Sequence, residues 1–117
     1  MTEGFCNPLF WSFFMAKLLS KKLMSTTDGL VFWCPGCYMH HPVAVGAPNR
    51  NGAIWDWNED AEKPTFHPSV LVRLGEQKVC HLFVEDGKLK YLSDSYHQFA
   101  GQTLELPDIP EDELDYE

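Results

Sequence analysis

Apolar and polar residues alternate through much of this chain with a period of two, the spacing of a strand with one buried face. The clearest case is Val79 to Leu92, where Asp86-Gly87 is a two-residue type I′ turn signal between two alternating runs. Such a turn pairs Glu85 with Lys88, Val84 with Leu89, Leu82 with Tyr91 and Cys80 with Ser93. Cys80, Leu82, Val84, Leu89 and Tyr91 then share an apolar face, and His81, Phe83, Lys88 and Lys90 share the other. Further strands are predicted over Leu30 to Trp33, Val43 to Val45, Ile54 to Asn58 (with Trp55 and Trp57 on one face) and Ser69 to Leu74, with a last one around Leu104 and Leu106. Pro64 and Pro68 hold Thr65-Phe66-His67 extended. Residues 12–24 show a weaker helical spacing, with Phe14, Leu18 and Leu19 on one side and lysines on another. The expected fold is mainly β with minor α: a small antiparallel sheet or partly open barrel, a metal knuckle and a short N-terminal helix. The expected organisation is an arm or helix over 1–24, a β domain over 25–108 and an acidic tail over 109–117.

Composition narrows the function classes. The 117 residues are 44% hydrophobic and 14% aromatic, enough for one small core. A formal charge of −8 leaves no basic stripe for nucleic acid. Seven of the 17 acidic residues fall between Glu105 and Glu117, so the rest is close to neutral. The apolar run Leu9 to Leu19 is too short to span a bilayer and contains Lys17. Lysines follow this run rather than precede it, unlike a secretory signal. A cytoplasmic chain acting on protein, with no nucleic acid or membrane partner, is the expectation.

Candidate chemistry begins at Cys34-Pro35-Gly36-Cys37. Two thiols around Pro-Gly can turn onto one metal ion, and the residues after Cys37 do not open the helix that a redox dithiol needs. A structural zinc ion is the expected cofactor. Cys80, on the buried face of the hairpin, is the natural third ligand. Its neighbour His81 points to the opposite face and would not share the ion. His41, four residues after Cys37, is the preferred fourth ligand, with His97, His40 and Asp94 as alternatives. Cys6 is read as a bystander. The second concentration is Ser93-Asp94-Ser95-Tyr96-His97, where hydroxyl, carboxylate and imidazole could form a nucleophile–base arrangement. The same residues are also ordinary loop and capping chemistry. Ser69, after Pro68, is a second candidate nucleophile.

Together these segments resemble a family of small bacterial and phage proteins, over roughly residues 30–108. The resemblance rests on Phe32-Trp33-Cys34-Pro35-Gly36-Cys37 with His41, Trp55-Asp56-Trp57-Asn58, Pro64-Thr65-Phe66 with Pro68-Ser69, and Cys80-His81-x-Phe83-Val84. Leu92 to His97, Ala100-Gly101-Gln102-Thr103 and Leu106-Pro107 complete it. Many members carry an ammonia monooxygenase label that their size does not fit. Others resemble the BubE peptidase of bacterial ubiquitin-like conjugation operons. The resemblance implies a zinc-stabilised serine peptidase trimming or removing a ubiquitin-like protein. Ser69 or Ser95 would be the nucleophile, His97 or His81 the base, and Asp94 its orienting acceptor. The competing readings are a non-catalytic zinc module that binds a partner protein and a metallohydrolase with an open zinc position. Three thiolates weigh against the latter, because they lower the metal's Lewis acidity.

Overall fold

The computed structural model describes residues 17–114. It consists of two antiparallel sheets packed face to face, rather than the single sheet or barrel expected from the pattern. The first sheet has the order β1-β2-β3-β4, formed by Lys17–Leu18, Leu23–Thr26, Gly29–Cys34 and Met39–Val43. The second has the order β5-β6-β7-β8-β9, formed by Asp56–Trp57, Phe66–Arg73, Val79–Glu85, Lys88–Tyr91 and Thr103–Glu105. Among the described residues no helix is long and apolar enough to cross a membrane.

The expected N-terminal helix is absent from the described residues. Its C-terminal part is strand: Leu23 to Thr26 pairs with Gly29 to Phe32 around a tight turn, and Lys17 and Leu18 pair back onto β2. Leu23 and Met24 are both buried although they are adjacent. A strand meets that demand by sending them to opposite faces, each against packed neighbours. Tertiary contact overrode a weak helical pattern here. Residues 12–16 of the expected helix lie outside the described residues.

Alternation within each strand builds the core. Leu30, Phe32 and Cys34 of β3 meet Phe66, Val70, Cys80, Leu82, Val84, Leu89 and Tyr91 of the second sheet. The rings of Phe32 and Phe66 stack at 6.4 Å across the interface. The opposite face of the first sheet is covered too. Met24, Val31 and Trp33 pack against Ile109, with Leu114 beside them. The chain after β9 therefore runs as a strap over the first sheet, tied by the Ile109 N–H to the Lys21 carbonyl at 2.9 Å.

The β7–β8 hairpin has the expected register, with Leu82 opposite Tyr91, Val84 opposite Leu89 and Glu85 opposite Lys88. Asp86 and Gly87 take φ of 51° and 73°, the left-handed pair that a type I′ turn requires. A Cβ on Gly87 would come within 3.0 Å of the Lys63 Cα, so a side chain there meets both strain and a neighbouring loop.

Candidate active site and metal centre

Strand β7 serves two sites, one on each face. On the inner face, Cys80 meets the knuckle. Pro35 and Gly36 turn the chain so that the Cys37 N–H donates to the Cys34 Sγ at 3.4 Å and the Tyr38 N–H to the Cys34 carbonyl at 2.8 Å. The Cys34 and Cys80 sulfurs are 3.9 Å apart. Two sulfurs ~2.3 Å from one tetrahedral ion would stand about 3.8 Å apart, so this spacing suits shared coordination. The ligand atoms of Cys34, Cys37, Cys80 and His97 all lie within 4.8 Å of one another and could hold a metal ion. His97 Nε2 is 3.3 Å from Cys80 Sγ. Gly36 makes room for that ring: a Cβ there would sit 2.3 Å from His97 Cε1.

The thiols of this group shift one another's ionisation. The Cys80 thiol is hydrogen-bonded to Cys34 and holds it well below the usual thiol range despite burial. The same contact, with burial, pushes Cys80 up. The Tyr91 hydroxyl lies 3.0 Å from Cys34 Sγ, and burial followed by that thiolate drives the phenol's pKa upward. One sulfur thus carries charge at the expense of its neighbour's ionisation, a conflict that a divalent ion held by all the thiolates would remove.

His41 sits beside this group, fully buried on β4. Its Nδ1 is 3.1 Å from the His40 carbonyl, and its Nε2 has no hydrogen-bond partner among the described residues. Burial opposes its charge, but the Cys34 and Cys37 sulfurs outweigh burial and raise its pKa to about 9. His97 differs in one respect: its Nδ1 accepts from the Phe99 N–H at 3.2 Å. His97 lies within the four-residue group, whereas His41 lies beside it, close enough to interact with the Cys34 and Cys37 sulfurs. Cys6 lies outside the described residues.

On the outer face, His81 Nε2 is 3.0 Å from Ser69 Oγ, and His81 Nδ1 is 3.1 Å from Asp94 Oδ2. A serine, an imidazole and a carboxylate therefore stand in one hydrogen-bonded line. Ser69 comes from β6, inside the register shift between Phe66 and Val70, where its hydroxyl reaches the His81 ring. The peptide bond between His67 and Pro68 is cis. Asp94 comes from the loop after β8. The His81 side chain is 25% exposed and that of Asp94 56%, so the line opens to solvent on its Asp94 side.

Ser95 lies elsewhere in this geometry. Its hydroxyl donates to the His81 carbonyl at 2.9 Å and accepts from the His81 N–H at 3.0 Å. Buried to 7% exposure, it clips its loop to β7. The Tyr96 N–H to the Val79 carbonyl, 2.9 Å, clips the same loop one step further on. Loop 93–97 therefore delivers Asp94 to the outer face and His97 to the inner one.

The family model of the bacterial ubiquitination-like system serine protease (BubE) matches residues 12–92. The chain belongs to the BubE family. The matched span includes Cys34, Cys37, Ser69, Cys80 and His81 and ends just before the loop bearing Asp94 and His97. No curated protein and no solved structure matched the chain.

Proposed function

We propose that this BubE-family chain is a serine peptidase that trims or removes a ubiquitin-like protein, with Ser69 as nucleophile, His81 as base and Asp94 as the acceptor that orients it. The observation that carries this reading is the line from Ser69 Oγ through His81 to Asp94, at 3.0 and 3.1 Å. With Asp94 accepting from Nδ1–H, His81 presents its Nε2 lone pair to the Ser69 hydroxyl. As Oγ attacks the substrate carbonyl, its proton passes to Nε2. The imidazolium, stabilised by Asp94, returns the proton to the departing amine, and water then hydrolyses the ester on Ser69 by the same relay. Ser95 is a positioning residue for the loop, because both hydrogen bonds of its hydroxyl are spent on the His81 backbone.

The inner-face group is proposed as a structural zinc site. Three thiolates and an imidazole are the soft, closed donor set that zinc takes in structural sites. His97 would complete it, being within 4.8 Å of each sulfur, and would give up its contact with the Phe99 N–H to do so. The zinc would fasten the two sheets and the 93–97 loop together, and no proton transfer would pass through it. Free rather than disulfide-bonded thiols at Cys34, Cys37 and Cys80 suit a reducing cytoplasm.

Labelling with a serine-reactive fluorophosphonate, read by peptide mapping, tests the reading. The expected result is a single adduct on Ser69, absent from Ser69→Ala and from His81→Ala. An adduct on Ser95, or none on folded metal-loaded protein, overturns the assignment; the second outcome favours a non-catalytic binding module.

A further inference from the structure

Strand β6 has eight residues, but its neighbour β5 has only two and pairs with Phe66 and His67 alone. Beyond that point no strand among the described residues pairs with that side of β6. The phase of the ladder shows which backbone groups face the opening. The Leu74 N–H donates to the Lys78 carbonyl at 2.8 Å, and Val72 and Val70 lie directly opposite Cys80 and Leu82. In an antiparallel pair, hydrogen-bonded and non-bonded positions alternate. Leu74, Val72 and Val70 therefore bond β7, while Leu71 and Arg73 turn their N–H and C=O groups to the other side. There they meet no hydrogen-bond partner among the described residues. The Ser69 carbonyl points the same way and is taken by Trp55 Nε1 at 3.1 Å, which marks where the opening begins.

This open edge starts at the proposed nucleophile. Leu71 stands opposite His81, two residues from Ser69 on the same face of the sheet, and is 44% exposed. Arg73, also exposed, has no salt bridge among the described residues. Unpaired strand edges bind extended peptides through main-chain hydrogen bonds, and the side chains flanking them supply selectivity.

The geometry points to the free edge of β6 at Leu71 and Arg73 as the substrate-binding strand: an extended tail of the protein substrate adds to the sheet there, which brings its scissile carbonyl to Ser69. This inference rests on Ser69 being the nucleophile. The occupant is an unfolded tail rather than a folded surface, because an edge two residues from the reacting hydroxyl admits only a single extended chain. An apolar substrate side chain fits over Leu71 and an acidic one beside Arg73.

A series of oligo-alanine phosphonates that label the nucleophilic serine tests this, each N-methylated at one backbone position and compared with a small fluorophosphonate. Strand addition predicts an alternating pattern. Methylation at every second position slows labelling about fivefold to tenfold, and at the intervening positions changes it little. A uniform response along the peptide overturns the proposal. Leu71→Pro removes the outward N–H without touching a bond to β7. It should abolish the advantage of the unmethylated peptide over the small fluorophosphonate. Equal peptide labelling in Leu71→Pro and the parent also overturns the proposal, and the methylation series decides the matter if that variant does not fold. Loss of all labelling in the parent protein would instead count against Ser69 itself.

Discussion

Cys80 and His81 are consecutive residues with opposite fates. Cys80 is completely buried among three other candidate ligands, whereas His81 is a quarter exposed in a line of three polar side chains. The pleat of β7 alone separates them. The candidate metal ligands and the Ser69–His81–Asp94 line therefore share a strand and a loop while lying on opposite faces: the thiols face the interior, and the hydroxyl, imidazole and carboxylate face the solvent side. On the proposed function, the inner site would govern stability and the outer site reaction, with loop 93–97 as the connection.

Substitutions should separate the two faces. The largest effect is expected from Ser69→Ala, which should lower peptidase turnover by about 10⁴-fold or more while metal content and melting temperature stay at parental values. A melting temperature that falls with activity would mean that the outer face is structural as well. Cys34→Ser and Cys80→Ser should do the opposite, losing bound metal and about 3 kcal/mol or more of stability, roughly 12 °C or more in Tm. Full metal content by elemental analysis with unchanged melting would remove the zinc proposal. Asp94→Asn should slow fluorophosphonate labelling by about 10²–10⁴-fold, since the amide no longer fixes the His81 tautomer. Its zinc content should not change. Ser95→Ala should cost about 1–2 kcal/mol in urea unfolding, with a smaller loss of labelling as the loop loosens. Activity abolished at full stability would return Ser95 to the catalytic role.

The inner face also has a choice of imidazole to resolve. With cobalt in place of zinc, His97→Asn should lose the tetrahedral absorption and His41→Asn should retain it; the reverse would make His41 the ligand. Acidification should release the metal, because protons compete for thiolates and imidazole alike, so metal-dependent stability falls as pH falls. Melting curves of loaded and chelated protein should therefore converge at low pH.

Much of this arrangement was legible in local pattern. The hairpin register followed from Asp86-Gly87, the knuckle from Cys-Pro-Gly-Cys, and the opposed directions of Cys80 and His81 from strand alternation. The acidic stretch read as a tail, but Ile109 within it packs on Met24, Val31 and Trp33. A single apolar residue among prolines and acids carries no periodic signal.

The candidate chemistry divides in the same way. Residue types and spacing by themselves determined which side chains could react or ligate, because cysteine pairs, serines and histidines are visible in a list and strand faces follow from a period of two. They could not tell which of Ser69 and Ser95 would stand beside the His81 ring. One lies twelve residues from His81 and reaches its ring across two strands, while the other lies fourteen away and reaches only its backbone. Nor could they bring His97 beside the three thiols or turn Lys17–Leu18 and Leu23–Thr26 into strands. Those outcomes depend on the register between β6 and β7, the loop clipped to β7 and the docking of β2 on β3. Each is a contact between segments distant along the chain, whose free energy no local window contains.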